Sequence, residues 1–225
     1  MKIVYFGFDL FYECFEQIVN NPDVEVMALY TFPTDDKFEF NRQVIALAEK
    51  KGIPVHLEKI TKEALEKHFA KGCDFTLSAG YIHKIPILER ENFKGVNVHP
   101  ALLPVGRGAW PFPCTILKGL TTSGVTIHKI TDRFDEGDIL LQKSVTVSPD
   151  ETLDTLTEKC QRLAAAMMAP LIADFNTLWN SATPQGEGEY WPEPTDTDRT
   201  ITADMSESQK DLIKRAFGSF GVIYK

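Results

Sequence analysis

Apolar positions in the first half of the chain alternate between short continuous runs and runs at helical spacing. Residues 2–7 form an apolar run ending at Gly7, and residues 9–20 then place apolar side chains three or four positions apart. The first pattern indicates a buried strand and the second a helix with one buried face. Further strands are predicted at 24–30, 53–55, 73–79 and 96–98, and further helices at 40–51 and 61–70. This alternation predicts an α/β fold with a mostly parallel sheet flanked by helices.

The pattern changes after residue 100. Proline and glycine crowd residues 100–113, which predicts a structured loop rather than a helix or a central strand. Two strands at 124–130 and 139–147 follow, joined by a polar turn at 131–138, then a long helix at 152–180 that Pro170 should kink, and a last helix at 206–217. We therefore expect one core domain over residues 1–180 and a short C-terminal appendage over residues 181–225.

Composition excludes several classes of protein. With 225 residues, 43% of them hydrophobic and 25% charged, the chain can bury a sizeable core, which excludes global disorder. No apolar run approaches the roughly 20 residues of a membrane span, and the N-terminus resembles a core strand rather than a signal peptide. We therefore expect a cytoplasmic protein without a membrane partner.

The net charge and the cysteines indicate which partners and metal sites to expect. The formal net charge is -8, whereas proteins that bind nucleic acid through phosphates usually present a basic face, so no nucleic-acid partner is expected. The four cysteines, Cys14, Cys73, Cys114 and Cys160, form no Cys-x-x-Cys pair and match no zinc spacing. They are predicted to be reduced, mostly buried thiols.

Three polar residues are candidates for chemistry. Asn97 and His99 stand two positions apart at the end of a predicted parallel strand, so their side chains share a face at the edge where α/β sheets bind ligands. Asp135 lies in the turn between the two later strands, followed by Gly137. Each residue alone also has an ordinary structural explanation, as a turn residue or a hydrogen-bonded core histidine.

The longer motifs are more specific. The segments Asn97-Val98-His99-Pro100-Ala101-Leu102-Leu103-Pro104 and Phe134-Asp135-Glu136-Gly137-Asp138-Ile139-Leu140 occur in this order, with Arg107-Gly108 and Gly124-Val125-Thr126-Ile127-His128 between them. Over residues 1–180 the chain resembles the folate-dependent formyltransferases, which include methionyl-tRNA, glycinamide ribonucleotide and sugar-nucleotide enzymes. The resemblance implies a Rossmann-like formyltransferase fold and transfer of a formyl group from 10-formyltetrahydrofolate.

Residue roles follow from the same resemblance. It makes Asn97, His99 and Asp135 the catalytic residues, with the amide and the imidazole donating hydrogen bonds to the formyl oxygen while Asp135 orients His99. Folate binding is implied for the segment 78–82 and the turn 131–138, mostly through backbone atoms, and no metal is required. The folate candidates are Ser78, Gly80, Tyr81, Ile82, Asp132 and Asp135. For His128, a structural and a functional role both remain open.

The acceptor is expected to be a nucleotide-linked amino sugar, in lipopolysaccharide O-antigen biosynthesis. The tail 188–201 resembles the segment after the core in sugar N-formyltransferases, is predicted to form a hairpin, and carries Tyr190 and Trp191, which could stack on a nucleotide base. Arg107, Trp110 and Lys84 are further candidates for substrate contact. The short acidic loop at 32–39 argues against a tRNA acceptor.

Alternatives remain within and outside this class. They are a methionyl-tRNA or glycinamide ribonucleotide formyltransferase, a formyltetrahydrofolate hydrolase, and an inactive folate- or nucleotide-binding module. Small-molecule substrates are the expected partners, and family analogy suggests a homodimer. No motif in the chain specifies the base, the sugar or the position of its amine.

Overall fold

The computed structural model describes residues 1–34, 40–218 and 221–225. The strands are β1 Lys2–Gly7, β2 Glu25–Tyr30, β3 Val55–His56, β4 Phe75–Ala79, β5 Gly95–His99, β6 Val105–Arg107, β7 Thr122–Lys129, β8 Ile139–Thr146, β9 Glu189–Tyr190, β10 Thr200–Ile201 and β11 Ile223–Tyr224. The helices are α1 Tyr12–Val19, α2 Arg42–Lys50, α3 Lys62–Ala70, α4 Pro111–Leu117, α5 Leu153–Ala173, α6 Phe175–Asn180 and α7 Glu207–Phe217.

The main sheet has seven strands in the order β3-β2-β1-β4-β5-β7-β8. The first five run parallel, and β7 and β8 join antiparallel at one edge. This arrangement confirms the predicted mostly parallel sheet flanked by helices. Because the chain order reverses beside β1, the carboxyl ends of β1, β4 and β5 border the region where such sheets bind ligands.

Strand β1 shows why its sequence is an unbroken apolar run. Ile3 and Tyr5 pack into one buried cluster, which contains residues of α1 and α5. Val4 and Phe6 point to the opposite face and pack into a second cluster with residues of α3. A strand that is covered on both faces needs apolar side chains at every position, which the sequence supplies.

The segment 100–113 is more regular than its composition predicts. Residues 105–107 form β6, and α4 begins at Pro111. Proline is accommodated in the first turn of a helix because the N–H that it lacks would have no partner within the helix. The prediction of a loop throughout this segment is therefore wrong at 105–107 and at 111–113.

The predicted long helix is present as two segments, α5 and α6. Thr152 caps α5 by accepting a hydrogen bond from the Thr155 N–H at 3.2 Å. Pro170 lies inside α5, which continues to Ala173. The break falls at Asp174, whose φ of -122° is not helical and whose N–H donates to the Pro170 carbonyl at 3.2 Å. The chain thus leaves helical geometry one turn after the proline.

The tail contains two short strands that pair elsewhere rather than with each other. Strand β9 pairs parallel with β6, and β10 pairs parallel with β11. The hairpin predicted at 188–201 is therefore wrong. The predicted final helix is present as α7, is capped by Ser206, and buries Ile213, Ala216 and Phe217 in the main cluster. The appendage and the sheet domain thus share one core.

Three remaining predictions concern the loop at 32–39, membrane spans and the cysteines. Residues 35–39, the acidic part of that loop, lie outside the described residues. In the described part of the chain, no helix has the length and apolarity needed to cross a bilayer. All four cysteines are buried and unpaired, as predicted.

Glu151, at the start of α5, carries a stability prediction. Burial alone would raise its pKa, but hydrogen bonds from Lys159, Thr155 and Ser148 lower it from 4.5 to about 2. The carboxylate therefore stabilises the fold above pH 4.5, and this contribution is lost as the pH falls towards 2. We expect Glu151→Gln to lower the free energy of unfolding by about 2 kcal/mol at neutral pH, since the half-exposed lysine is partly screened.

Urea unfolding of the wild type and Glu151→Gln at several pH values measures this difference, which should shrink as the pH falls through the acid range. Glu158→Gln is the matched control, because Glu158 pairs with Arg162 on the exposed side of α5. Equal destabilisation by both substitutions, or a pH-independent difference, would contradict the assignment.

Candidate active site

Asn97 and His99 lie on the same face of β5 at its carboxyl end. The strand is held between β4 and β7, with Asn97 opposite Ser78 on one side and His128 on the other. The two-residue period of a strand brings the amide and the imidazole to one face, as the sequence predicts. His99 is buried and Asn97 is half-buried.

Asp135 reaches the same place from the turn between β7 and β8. Its φ is +57°, a conformation that aspartate tolerates better than most residues. The Gly108 N–H donates to Asp135 Oδ2 at 3.0 Å. Gly137 is needed nearby because a Cβ there would overlap the Lys129 carbonyl oxygen. The turn is thereby folded tightly enough to direct the carboxylate inward.

The side chains converge on one carboxylate oxygen. Asp135 Oδ1 lies 3.5 Å from His99 Nδ1 and 3.5 Å from His128 Nε2. His128 Nε2 in turn lies 3.2 Å from Asn97 Nδ2. The three predicted residues are therefore clustered, although they are separated by 38 positions in the chain.

Hydrogen-bond partners define the protonation of both imidazoles. His99 Nε2 lies 2.7 Å from the Gly106 carbonyl oxygen, which only accepts, so Nε2 must carry a proton. By the same reasoning, His128 Nδ1 donates to the Lys129 carbonyl at 2.9 Å, which leaves His128 Nε2 facing both the Asn97 amide and Asp135 Oδ1. Neutral His99 therefore presents the lone pair of Nδ1 towards Asp135.

Burial determines the charge of this cluster. Burial lowers the pKa of His99, and the Asp135 carboxylate opposes that shift only in part. Burial would raise the pKa of Asp135, but the two imidazoles and the Gly108 N–H outweigh it and hold the pKa below its usual range. At neutral pH the site thus combines a neutral base with a carboxylate that stabilises its protonated form.

His128 is the member of the cluster whose role the sequence left open. It lies 2% exposed between Asn97 and Asp135 and contacts both. The antiparallel pairing of β7 with β5 places His128 opposite Asn97. The spacing of these residues in the sequence does not reveal this pairing.

The segments implied in folate binding approach each other at the edge of the site. Lys84 follows β4, and its Nζ lies 3.7 Å from Oδ1 of Asp132, which is in the turn after β7. This ion pair joins the two segments. Ile82 is 59% exposed, whereas Ser78 and Tyr81 are buried.

Gly80 is constrained by the protein itself. Its φ is +82°, and a Cβ there would come within 2.9 Å of the Phe8 ring. The Phe8 ring thus occupies the space next to Gly80 into which a side chain would point.

The candidates for substrate contact differ in accessibility. Tyr190 is 56% exposed, and its ring lies beside Gly108, whose N–H donates to Asp135, so the ring borders the site. Trp191 is 3% exposed and packs against Gly106. Trp191 therefore anchors the tail and is not carried into the proposed substrate site.

Arg107 and Trp110 occupy the segment between β5 and α4. The Arg107 guanidinium donates to Gln185 Oε1 at 3.2 and 3.0 Å and to the Gly186 carbonyl at 3.1 Å. The guanidinium is thus held by the protein's own hydrogen-bond network. Trp110 is half-buried at the N-terminus of α4.

Gln185 was not singled out from the sequence. Its Nε2 donates to the Asp135 carbonyl at 2.8 Å and to the Gly137 carbonyl at 2.6 Å. Because both partners are backbone carbonyls, no side-chain motif reveals the contact. Within the described ranges, no group of three His, Cys, Asp or Glu side chains is arranged to hold a metal ion.

These features define an α/β protein with an amide, two imidazoles and a carboxylate clustered at the carboxyl edge of its parallel strands. The family model described as "Formyl transferase" matches residues 1–172. The chain belongs to this formyl transferase family.

Similar proteins fall into two groups. The methionyl-tRNA formyltransferase of Ehrlichia chaffeensis is 32% identical over 79% of this chain, which spans only 62% of that protein. A sugar N-formyltransferase from Shewanella sp. FDAARGOS_354 has a TM-score of 0.76 and 20% identity, covering 100% of this chain and 92% of the other. WlaRD, a sugar 3N-formyl transferase solved with dTDP and 5-N-formyl-THF, has a TM-score of 0.74 and 18% identity, covering 99% and 82%. At these identities the structural likeness shows the fold.

Proposed function

We propose that this protein transfers a formyl group from 10-formyltetrahydrofolate to the amine of a nucleotide-linked amino sugar. The observation that carries the proposal is the convergence of His99, His128 and, through His128, Asn97 on Asp135 Oδ1. The reaction needs a donor for a developing oxyanion and a base for the amine proton, and this cluster offers both.

The chemistry can be written with these groups. The neutral amine attacks the formyl carbon, a C–N bond forms, and the carbonyl electron pair moves onto oxygen, which the free N–H of the Asn97 amide stabilises. His99 Nδ1 takes the proton of the attacking nitrogen, directly or through a water, and Asp135 stabilises the imidazolium. The bond from carbon to folate N10 then breaks, and His99 returns the proton to N10. The products are the N-formyl sugar and tetrahydrofolate.

The structure supports a different role for His99 from the one expected from the sequence. In the sequence-based expectation, an imidazole N–H of His99 donates to the formyl oxygen. In the structure the N–H of neutral His99 is bound by the Gly106 carbonyl, so His99 becomes a donor to substrate only from Nδ1 after that nitrogen is protonated. The geometry supports Asn97 as the donor in the first step and His99 as the base.

Binding of the two substrates is proposed on opposite sides of this cluster. The segments 78–82 and 131–138 are proposed as the folate side, where Lys84 and Asp132 pair at the surface. Tyr190 borders Asp135 with an exposed ring and is the candidate for stacking on the nucleotide base.

The charge of the chain favours an amino-sugar acceptor over tRNA. Its net charge is -8, whereas tRNA binding is supported by lysine and arginine opposite the phosphates. Transfer to methionyl-tRNA is the second candidate, because the curated relatives carry that name.

The test is a transfer assay with 10-formyltetrahydrofolate and a panel of dTDP-, GDP- and UDP-linked amino sugars. Tetrahydrofolate should be released only when an amine is present, and mass spectrometry should detect a formylated sugar. Release without an amine would indicate a hydrolase, and formylation of charged methionyl-tRNA alone would support the second candidate. Folate binding with no product from any acceptor would contradict the proposal.

Activity is expected to fall as the pH is lowered. An ammonium group has no lone pair with which to attack, and protonated His99 cannot accept a proton. The pKa of His99 lies below its usual value. As the pH is lowered, the acceptor amine should therefore be protonated before His99, and its protonation should cause the first fall in rate. A profile of kcat/KM against pH checks this, and a constant or rising rate towards acid would contradict it.

A further inference from the structure

The catalytic pair His99 and Asp135 is held by three backbone groups on two distant segments. Gly106 supplies the carbonyl for His99, and Gly108 supplies the N–H for Asp135. The third group is the Asp135 backbone itself, in its left-handed conformation at φ +57°. The separation of His99 Nδ1 from Asp135 Oδ1 therefore depends on how the segments 106–108 and 135–137 are fixed relative to each other.

One side chain connects both segments. The Gln185 amide nitrogen donates its two hydrogens to the carbonyls of Asp135 and Gly137, at 2.8 and 2.6 Å. Its amide oxygen accepts from two nitrogens of Arg107, at 3.2 and 3.0 Å. Arg107 lies directly between the two glycines that contact the catalytic pair. Every hydrogen-bonding group of the Gln185 amide is thus used on these two segments.

The chemistry of the amide is specific to this task. Two carbonyl oxygens require donors, while a guanidinium requires an acceptor, and a neutral amide is the side chain that supplies both. Glutamate could still accept from Arg107, but it would place a carboxylate oxygen against the carbonyls. Apolar replacement would leave the carbonyls and the guanidinium without their partner.

The tail reinforces this connection next to Gln185. Strand β9 pairs with β6, and the Trp191 N–H donates to the Arg107 carbonyl at 2.8 Å. Gln185 lies beyond residue 172, where the family match ends, and 50 positions from Asp135. The contact is therefore made by the segment that follows the matched region.

We infer that Gln185 is a positioning residue that fixes the Asp135 turn against the 106–108 segment and so sets the geometry of the His99–Asp135 pair. This inference rests on the proposed function for its effect on turnover, but its effect on His99 can be measured without substrate. It assigns a role in the reaction to a residue of the C-terminal appendage whose amide binds groups of the protein itself.

Two variants separate the donor and acceptor roles of the amide. Gln185→Glu keeps the acceptor for Arg107 and removes the donors to the turn, whereas Gln185→Met removes both with little change in size. If Gln185 acts on the turn, both variants lower kcat by about 10- to 100-fold while each KM changes little. Gln17→Glu, on the exposed side of α1, is the matched control for the added charge.

Wild-type kcat in Gln185→Glu would overturn the inference, because it would show that anchoring Arg107 is sufficient. A large rise in KM with unchanged kcat would also overturn it. Thermal unfolding of Gln185→Glu verifies that this variant is folded. The kcat of Gln185→Glu then still tests the inference if Gln185→Met does not fold.

A second readout needs no turnover. In ¹³C-histidine NMR titrations, the His99 signal is identified by its absence in a His99→Gln variant. In Gln185→Met, the titration of His99 should move to lower pH, because the displaced Asp135 carboxylate no longer favours the imidazolium. An unchanged His99 titration would overturn the positioning role. If no acceptor is formylated, the proposed function fails, but this titration still decides the role of Gln185.

Discussion

Replacement of His99 by glutamine is expected to lower kcat by about 10²–10⁴-fold, with the fold preserved. The glutamine amide nitrogen can occupy the position of Nε2 and still donate to the Gly106 carbonyl, which His99 binds at 2.7 Å. It offers no basic atom in the position of Nδ1. The substitution therefore removes proton transfer while keeping the contact that holds the 106–108 segment.

Single-turnover measurements of formyl transfer check this expectation, since they report the chemical step rather than product release. His68→Gln is the matched control. His68 lies on α3, and its Nε2 contacts the Tyr30 hydroxyl at 2.9 Å, a bond that glutamine can replace. A rate for His99→Gln within a few-fold of the wild type would remove His99 from the mechanism.

Asp135→Asn should lower kcat by a comparable factor, about 10²–10⁴-fold, for an electrostatic reason. Asparagine tolerates the positive φ of this position, and its oxygen can keep the bond from the Gly108 N–H. The neutral amide no longer stabilises a proton on His99 Nδ1, and its N–H can donate to that nitrogen. The lone pair of His99 Nδ1 would then accept a hydrogen bond from the asparagine amide, and the protonated form of His99 would be less favourable.

Two measurements test this second expectation. The transfer rate should fall, and the NMR titration of His99 should move to lower pH, since the Asp135 carboxylate raises the His99 pKa against the effect of burial. Asp150→Asn, in an exposed turn before α5, is the control for removal of one acidic charge. Retained activity, or a His99 titration that moves to higher pH, would be incompatible with the assigned role of Asp135.

The sequence was informative wherever structure depends on local periodicity. The unbroken apolar run of β1 indicated a strand buried on both faces, and the spacing of Asn97 and His99 placed them on one face of β5. The family match over residues 1–172 agrees with the motif-based resemblance. These features require only that neighbouring residues follow a regular backbone.

Features that depend on distant contacts were missed. Strand β9 is two residues long and exists through its pairing with β6, so the tail sequence alone favoured a hairpin instead. Gln185 acts on backbone carbonyls, which every residue has. The burial of Trp191 likewise depends on Gly106, 85 positions earlier, because a side chain there would crowd the indole ring.

The pairing of β6 with β9 has a consequence for how the protein is made. Residues 105–107 leave the ribosome well before residues 189–190, so the parallel sheet can fold while the strand that braces β6 is still being translated. The nascent chain would then hold a formed sheet with a loosely arranged reaction centre. On the proposed function, competence for formyl transfer would arrive late in synthesis.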